Sequence, residues 1–317
     1  MKAPGLKSTL LLAAVLFAGC ENAHSKLDNI ATAMPDKDKA PAAAPVQAQA
    51  DHSGSVEERL ARLENNYAKY SEALDFLDKV YAQQKAQQQQ AERDEAAPDA
   101  IFAVDIAPDV ALGKVDGPAD APVTIVKAFD FACPYCQRTA STMDELVQEY
   151  QGKVRVVYKD LVVHPQIATT AHMAACAAAK QGKYVAFKKL VWEKGFLPYA
   201  QARDPSKLGQ DNLMSIAKEA GLDTGKLKTD MDSDECKQIV KGDMQELQKF
   251  HVNATPGFFI NGKFIGGAMD KAAFKQIVDE RLKVAEASGV PGAEYYNKEI
   301  LGKGEKQFRS KMDPKPN

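Results

Sequence analysis

Apolar residues recur at regular intervals over residues 55–97. The members of the repeat are Val56, Leu60, Leu63, Tyr67, Tyr70, Leu74, Leu77 and Tyr81. Their spacing alternates between four and three residues, which is the period of a left-handed coiled coil. Ser55 and Glu58 form a capping-box pattern, which favours a helix start at this point. The segment is therefore predicted to be a long heptad helix over 55–97.

Two packing partners are open for this helix. A polar, glutamine-rich run, "QQKAQQQQAERDEAAP", follows it, so the helix has little of its own chain to pack on. This isolation favours a homo-oligomer, with the number of chains left open. The alternative is a single amphipathic helix that folds back onto its own domain.

The pattern after the heptad helix is that of a mixed α/β domain. "PVTIVKAF" and "VRVVY" are rich in β-branched residues and are typical of buried strands. Residues 167–250 have helical periodicity, and "GFFINGKFIGGA" predicts a hairpin because Asn261-Gly262 suits a type I′ turn. The order predicts an α/β domain over 98–287. The tail, 288–317, is expected to be surface structure.

The N-terminus has the pattern of an export signal. Lys2 and Lys7 flank the start of an apolar run, "TLLLAAVLFAG", that is short for a membrane span. It ends in "FAGC", which resembles a bacterial lipobox with Cys20 as the lipidated residue; an ordinary cleaved signal is the alternative. We expect a lipoprotein signal peptide over 1–19 and a disordered Ala/Pro-rich tether over 20–54. The protein would then be anchored by lipid in the cell envelope, facing the periplasm.

The charge balance and the cysteine count reduce the number of possible functions. There are 41 Lys and Arg against 43 Asp and Glu, so no broad basic face and no nucleic-acid partner are indicated. There are 5 cysteines, and setting Cys20 aside leaves an even number. Exported proteins meet oxidising surroundings in which disulfides persist.

The stretch "FACPYCQR" carries the most specific chemistry. Cys133 and Cys136 can ligate a metal, close a structural disulfide or pass electrons. Cys133 lies where a helix is predicted to begin, and unpaired amides there stabilise a thiolate. Pro134 suits the first turn because it has no N–H to leave unpaired. Cys136, beyond Tyr135, is expected to be more buried and to resolve the mixed disulfide that Cys133 forms.

A second motif identifies a family. "NATPGFFING" places Thr255-Pro256 just before the hairpin, far downstream of the cysteine pair. Together with "APVTIV", "VVHP" and "CAAAKQGKY", the two motifs resemble the DsbA-like branch of the thioredoxin superfamily. The resemblance covers roughly residues 100–285. It implies an α/β thioredoxin fold with a helical insertion, here preceded by the coiled-coil-like helix.

The resemblance also implies roles and partners. Cys133 and Cys136 would exchange disulfides with exported proteins that contain cysteines, and a membrane redox partner would recharge the pair. Thr255 and Pro256 would form a cis-proline loop against which substrate lies. No cofactor or metal is implied beyond the redox-active cysteines.

One position departs from the family pattern. Relatives commonly carry an acidic residue six before the first cysteine, where this chain has Lys127. A lysine there would favour the thiolate electrostatically, or it would extend its charge to water. Asp130, three before Cys133, is common at its position in relatives and is a possible partner in the site.

The remaining cysteines, Cys176 and Cys236, fall in the helical insertion. By resemblance to related exported proteins they form a structural disulfide; the plain alternative is two buried free thiols. A more specific alternative is a metal site. Cys176 and His172, one helical turn apart, would ligate the metal together with Cys133 and Cys136 as a Cys₃His set.

The direction of electron flow stays open in the sequence. The heptad helix and the C-P-Y-C motif favour an isomerase or reductase. A DsbA-like dithiol oxidase is the alternative within the same class. A copper- or zinc-binding lipoprotein and a lipid-anchored scaffold are the alternatives from other classes.

Overall fold

The computed structural model describes residues 52–315. The predicted signal peptide, the lipidation site at Cys20 and most of the predicted tether lie outside these residues. The described chain divides into two units, with the boundary between Phe76 and Leu77.

The heptad segment is one helix, α1, from Val56 to Asp94. Its start has the predicted capping box, because the Ser55 N–H donates to Glu58 Oε2 over 2.8 Å and the Glu58 N–H donates to Ser55 Oγ over 3.2 Å. None of its residues is buried. The heptad side chains are between 49% exposed, at Leu74, and 72% exposed, at Val56. Within residues 52–315, the apolar repeat is therefore exposed along its whole length.

The sheet of the second unit is mixed and has five strands. They are β1 (Val115–Asp116), β2 (Val123–Phe129), β3 (Val154–Asp160), β4 (Gly257–Ile260) and β5 (Lys263–Gly266). Their order is β1-β3-β2-β4-β5, with β2 parallel to β3 and the other pairs antiparallel. Every residue of β2 and β3 is buried, as expected for central strands covered on both faces.

Helices cover both faces of this sheet. The α-helices of this part of the chain are α2 (Ala107–Leu112), α3 (Pro134–Glu149), α4 (Pro165–Lys180), α5 (Tyr184–Leu190), α6 (Leu197–Ala202), α7 (Gln210–Glu219), α8 (Thr224–Met231), α9 (Asp234–Gln248), α10 (Lys271–Ala287) and α11 (Gly292–Tyr295). Two π-helical segments, Val191–Phe196 and Tyr296–Leu301, and one 3₁₀ turn, Pro205–Leu208, complete the helical part. The predicted block between the second strand and the hairpin is thus a group of six α-helices, α4 to α9.

The hairpin between β4 and β5 turns at the predicted residues. Asn261 and Gly262 both have positive φ, at 43° and 80°, which a type I′ turn requires. A side chain on Gly262 would also collide with Ile101, at 2.6 Å from its Cγ2. The glycine is therefore required both by the turn and by the close approach of the preceding chain.

The C-terminal tail differs from its expected place on the surface. Tyr295, Tyr296 and Ile300 are all at most 4% exposed and belong to the core on one face of the sheet. The Tyr296 hydroxyl donates to the Val104 carbonyl over 2.9 Å. The prediction was wrong because the tail is short and locally polar, and its three apolar anchors pack in a core whose other members come from distant segments of the chain, from Phe102 to Phe259.

Candidate active site

Helix α3 positions the cysteine pair. The helix begins at Pro134, and Cys133 is its N-cap residue in an extended conformation. The Cys133 carbonyl accepts from the Cys136 N–H over 3.1 Å, which closes the first turn. Cys133 is 4% exposed and Cys136 is 0% exposed, whereas Tyr135 between them is 53% exposed. The two sulfurs therefore differ in access, with Cys133 nearer the surface.

The loop before β4 lies against Cys133. The Thr255-Pro256 peptide bond is cis. The Thr255 carbonyl oxygen is 3.4 Å from Cys133 Sγ and accepts a hydrogen bond from the thiol. Segments 122 residues apart in the chain thus meet at the first cysteine.

The pKa values of the two thiols are shifted in opposite directions. The pKa of Cys133 falls to about 5, because a hydrogen bond from Cys136 stabilises its thiolate and because the Thr255 side chain and the backbone N–H groups of Cys136 and Tyr135 add to this. Burial raises the pKa of Cys136 far above its usual value, and the neighbouring Cys133 raises it further. At neutral pH Cys133 is therefore a thiolate and Cys136 is a thiol, which is the arrangement that an attacking and a resolving cysteine need.

Lys127 lies behind the cysteine pair on β2, in register with Phe258 on β4. It is 1% exposed, and its Nζ donates to the Cys136 carbonyl over 3.1 Å. Within the described part of the chain, no carboxylate forms an ion pair with it. Burial lowers the pKa of Lys127 to about 7. The alternative in which this lysine extends to water is wrong, because the strand holds it inside the core.

Asp130 ties the cysteine loop to the loop after β3. Its buried carboxylate accepts from the Ala132 N–H over 2.6 Å, from the Val163 N–H over 2.7 Å and from the His164 N–H over 2.9 Å. These bonds occupy the carboxylate with backbone donors, so Asp130 does not pair with Lys127. Its observed role is to hold two loops together next to Cys133.

His172 on α4 connects the same loop to the interior. Its Nε2 accepts from the Phe131 N–H over 3.3 Å, and its Nδ1 is 2.6 Å from Asp160 Oδ1. Because Nε2 accepts, the ring proton lies on Nδ1 and donates to Asp160. A fully buried imidazole therefore holds the backbone two residues before Cys133.

A buried ion cluster lies beyond His172. Its members are Asp109, Lys114, Lys159, Asp160 and Asp243, all at most 3% exposed. The two lysines bridge the three carboxylates at 2.5 to 2.9 Å. Sequence reasoning missed this cluster; the signal was the pair Lys159-Asp160 inside the apolar run "VVYKDLVV".

The cysteines of the insertion are joined. Cys176 on α4 and Cys236 on α9 form a disulfide, with Cα atoms 5.8 Å apart. The Cys176 sulfur is bonded to Cys236, and both ring nitrogens of His172 lie within hydrogen-bonding distance of Phe131 and Asp160. The Cys₃His metal site is therefore not formed. Across residues 52–315, no three His, Cys, Asp or Glu side chains are grouped in a way that could hold a metal ion.

The fold and the site together define a class of protein. A parallel strand pair, an antiparallel hairpin and an N-cap C-x-x-C against a cis-proline loop are the parts of a thioredoxin-type active site. A family model described as thioredoxin matches residues 109–280, which is more than half of the chain. The chain belongs to the thioredoxin family, and the predicted thioredoxin fold with a helical insertion is confirmed.

The chain is also similar to individual proteins and to solved structures. A probable disulfide bond formation protein D of Bacillus cereus is 30% identical over 174 residues, which are 53% of this chain and 77% of that protein. The Na(+)/H(+) antiporter NhaA of Herminiimonas arsenicoxydans is 28% identical over 183 residues, which are 58% of this chain but only 28% of the antiporter. This chain therefore spans little more than a quarter of that relative's length. The crystal structure of oxidised BdbD from Bacillus subtilis aligns with a TM-score of 0.49 at 23% identity, covering 60% of this chain and 99% of that chain.

Among the helices formed by residues 52–315, none combines the length and the apolar composition that crossing a bilayer requires.

Proposed function

We propose that this protein is a cell-envelope thiol–disulfide oxidoreductase that acts on exported proteins through Cys133 and Cys136. The observation that carries the proposal is the asymmetry of the pair. Cys133 has the lower pKa and the better access, and Cys136 is buried behind it. The cis-proline loop with Thr255 and Pro256 lies beside the attacking sulfur and would receive an extended substrate segment.

The exchange proceeds in two displacements. The Cys133 thiolate attacks a substrate disulfide, forms a mixed disulfide and releases one substrate thiolate, which takes up a proton. Cys136 then loses its proton and attacks Cys133 Sγ, which releases the second substrate thiol and leaves Cys133–Cys136 oxidised. In isomerisation a substrate thiolate attacks the mixed disulfide instead, so the pair stays reduced and only the substrate pairing changes.

Lys127 would assist the second displacement. Cys136 is deeply buried, so its thiolate is costly to form, and the positive charge of Lys127 lowers its pKa against that effect. The Nζ is held behind Cys136 by the carbonyl of that residue. We propose that the charge favours the thiolate form of the pair and so makes the disulfide easier to reduce.

Oligomerisation through α1 would suit an isomerase or reductase. The heptad positions are exposed in the single chain, and a continuous apolar stripe of this kind is typical of an interface. We propose that several chains associate along this stripe and that Cys20 and the tether anchor the assembly to the membrane. Replacing Leu60, Leu63 and Leu74 with Gln should lower the mass in sedimentation equilibrium. The same replacement at Ala61, Ala68 and Ala82, off the stripe, should not.

A dithiol oxidase is the second candidate, and the acidity of Cys133 favours it. A thiolate with a pKa near 5 stabilises the reduced enzyme, and the disulfide form is then the better oxidant. In this case a membrane redox partner would reoxidise the pair after each turnover.

Refolding of a scrambled-disulfide protein by the full chain tests both candidates. An isomerase should restore activity to the scrambled substrate, whereas an oxidase should oxidise a reduced substrate quickly and leave the scrambled one inactive. Cys133→Ser should abolish exchange in either case. Cys136→Ser should retain attack and accumulate mixed disulfides visible on a non-reducing gel. Full exchange by Cys133→Ser would refute the proposed function.

A further inference from the structure

A second buried lysine lies on the side of the sheet that carries Lys127. Lys127 on β2 is paired in register with Tyr158 on β3, so the two side chains project from the same face of the sheet. Lys188 on α5 packs over Tyr158, with its Nζ 3.7 Å from the centre of the ring. Lys188 is 2% exposed. Tyr158 is therefore a neighbour of both lysines, and two positive side chains share one buried region.

Asp144 is the counterion of Lys188. It lies on α3, about two helical turns after Cys136, and its Oδ1 is 3.6 Å from Lys188 Nζ. This separation is that of an ion pair and is too long for a hydrogen bond, and within residues 52–315 Asp144 Oδ1 has no hydrogen-bond partner. A cavity of about 240 Å³, lined by both residues and Trp192, lets water reach the pair. The charge of Lys188 is therefore only partly neutralised.

Charged groups on several elements act on the two lysines. Those that act on Lys127 belong to Cys136, Lys188, Asp144 and Cys133. Those that act on Lys188 belong to Asp144 and to Asp116 on β1. Burial lowers the pKa of Lys127 to about 7, and the positive charge of Lys188 lowers it too, whereas Asp144 and the cysteines act in the opposite direction. Lys188 thus makes it harder for Lys127 to hold a proton, and Asp144 makes it easier.

We propose that Lys188 and Asp144 are positioning residues that control the charge on Lys127, and thereby the lifetime of the mixed disulfide at Cys133. Lys188 disfavours the charged form of Lys127, so the buried Cys136 forms its thiolate less readily and resolves the mixed disulfide more slowly. A longer lifetime gives a thiolate of the substrate more time to attack, which favours isomerisation over release of a reduced substrate. The proposal rests on the proposed function, in which Cys136 performs the second displacement.

The resolving step moves one proton and exchanges one disulfide bond. The Cys136 thiol gives its proton to the neutral amine of Lys127, and the thiolate then attacks Cys133 Sγ. The Cys133–Cys136 bond forms, the bond from Cys133 to the substrate breaks, and the substrate sulfur leaves as a thiolate that takes a proton from water. Because the amine must be neutral to accept the proton, the rate of resolution rises with pH up to the pKa of Lys127 and is constant above it. A higher pKa moves this plateau to a higher pH and a higher rate.

The titration of Lys127 tests the electrostatic part directly. Nuclear magnetic resonance follows it in the oxidised full chain with isotope-labelled lysine, and Lys127→Met identifies the signal. Lys188→Met removes the charge and keeps much of the side-chain length, and it should raise the pKa of Lys127 from about 7 to about 8. Lys188→Arg keeps the charge and should leave that pKa unchanged. Lys189→Met, at an exposed lysine that lines the same cavity, is the control and should also leave it unchanged.

Asp144 gives a shift of the opposite sign. Asp144→Asn, made in the Lys188→Met background, removes a negative charge and should lower the pKa of Lys127 again. A purely structural role of Lys188 predicts equal shifts with Met and with Arg, because both replacements disturb the packing on Tyr158. Equal shifts, or an unchanged pKa of Lys127 in Lys188→Met, would overturn the proposal.

The lifetime of the mixed disulfide is measured with dithiobis(nitrobenzoate), which releases a coloured thiolate. In the reduced full chain, attack by Cys133 releases the first thiolate and attack by Cys136 releases the second, so Cys136→Ser should lack the second phase. Lys188→Met should leave the first phase unchanged, because Lys188 is not among the groups that shift the pKa of Cys133. The second phase should be unchanged at about pH 6 and about tenfold faster at about pH 9, since a pKa higher by about one corresponds to about a tenfold change.

The two measurements separate this proposal from the proposed function. If the natural chain released neither thiolate, the proposed function would fail, while the titration would still decide whether Lys188 controls the charge on Lys127. If the titration moved as expected and the second phase did not, the charge on Lys127 would not limit resolution by Cys136, and the proposal would be wrong.

Discussion

Lys127 and Lys114 are both buried lysines, at 1% and 0% exposure, but their surroundings differ completely. Lys114 Nζ lies within 2.8 Å of carboxylate oxygens of Asp109, Asp160 and Asp243. Lys127 Nζ has one carbonyl, that of Cys136, and lies over the ring of Phe258. Lys114 is surrounded by carboxylates, whereas Lys127 has no carboxylate partner among the described residues.

The pKa values follow these surroundings. Burial works against the charged form at both sites, yet the three carboxylates raise the pKa of Lys114 well above its usual value. Without such partners, burial lowers the pKa of Lys127 to about 7. Burial alone therefore does not decide whether an interior lysine is charged; its partners do. A lysine that stays charged can stabilise the fold through its ion pairs. A lysine near its pKa can gain or lose a proton when the redox state of the cysteines beside it changes.

Lys114→Met should have the largest effect on stability. It leaves Asp109 and Asp243 with Lys159 as their remaining lysine and Asp160 with none, and breaking a buried charge cluster in this way costs about 3–5 kcal/mol. The measurement is the free energy of unfolding in urea. Lys153→Met, at an exposed pair with Glu286, is the control and should change that free energy by about 1 kcal/mol or less. Equal losses in the two variants would contradict the comparison.

Removing the structural disulfide should rank second. Cys176 and Cys236 close a separation of 60 residues, and they join the helices that carry His172 and Asp243. Cys176→Ala with Cys236→Ala should lower the free energy of unfolding by about 2–4 kcal/mol. The C-x-x-C pair is intact, so thiol exchange should persist at temperatures where the variant is folded. An unchanged urea midpoint would show that the disulfide adds nothing to stability.

His172→Leu should weaken the link between the ion cluster and the cysteine loop. It leaves the Phe131 N–H and Asp160 Oδ1 without their partner, at a loss of about 1–3 kcal/mol in unfolding free energy. Because the loop carries Cys133, we also expect its thiolate titration to move from a pKa near 5. Ultraviolet absorbance of the thiolate measures this shift. A loss of stability with an unmoved titration would limit His172 to a structural role.

Lys127→Met should change the pH dependence of stability. The folded pKa is about 7 and the unfolded value is about 10.4, so between them the unfolded chain binds the extra proton and stability rises with pH. The rise approaches about 1.4 kcal/mol per pH unit and should be absent from the variant.

Urea unfolding of the oxidised protein from pH 6 to about 10 measures this slope, because the disulfide removes the thiol titrations from the comparison. Lys153→Met serves again as the control, since its exposed lysine should leave the slope unchanged. A variant with the slope of the natural chain would show that Lys127 is not the group that titrates.

The sequence by itself determined the local elements and the chemistry of the motif. The period of 3.5 residues and the capping box located helix α1, since both depend on neighbours within a few positions. Asn261-Gly262 specified the hairpin turn because the backbone angles there suit few other residues. The C-x-x-C before a helix was readable for the same reason: the amides that stabilise Cys133 belong to its own helix.

Only the tertiary structure decided the surroundings of the buried charges. Lys127 and Lys114 look alike in sequence, and the groups around them include Phe258 and Asp243, each about 130 residues away along the chain. The tail shows the same limit, since Tyr296 packs into a core whose members include Val104 and Phe259. Burial and pairing over such separations depend on how the sheet brings distant segments together. The physical reason is that a pKa or a packing energy is a property of the neighbours in space, which local sequence pattern does not specify.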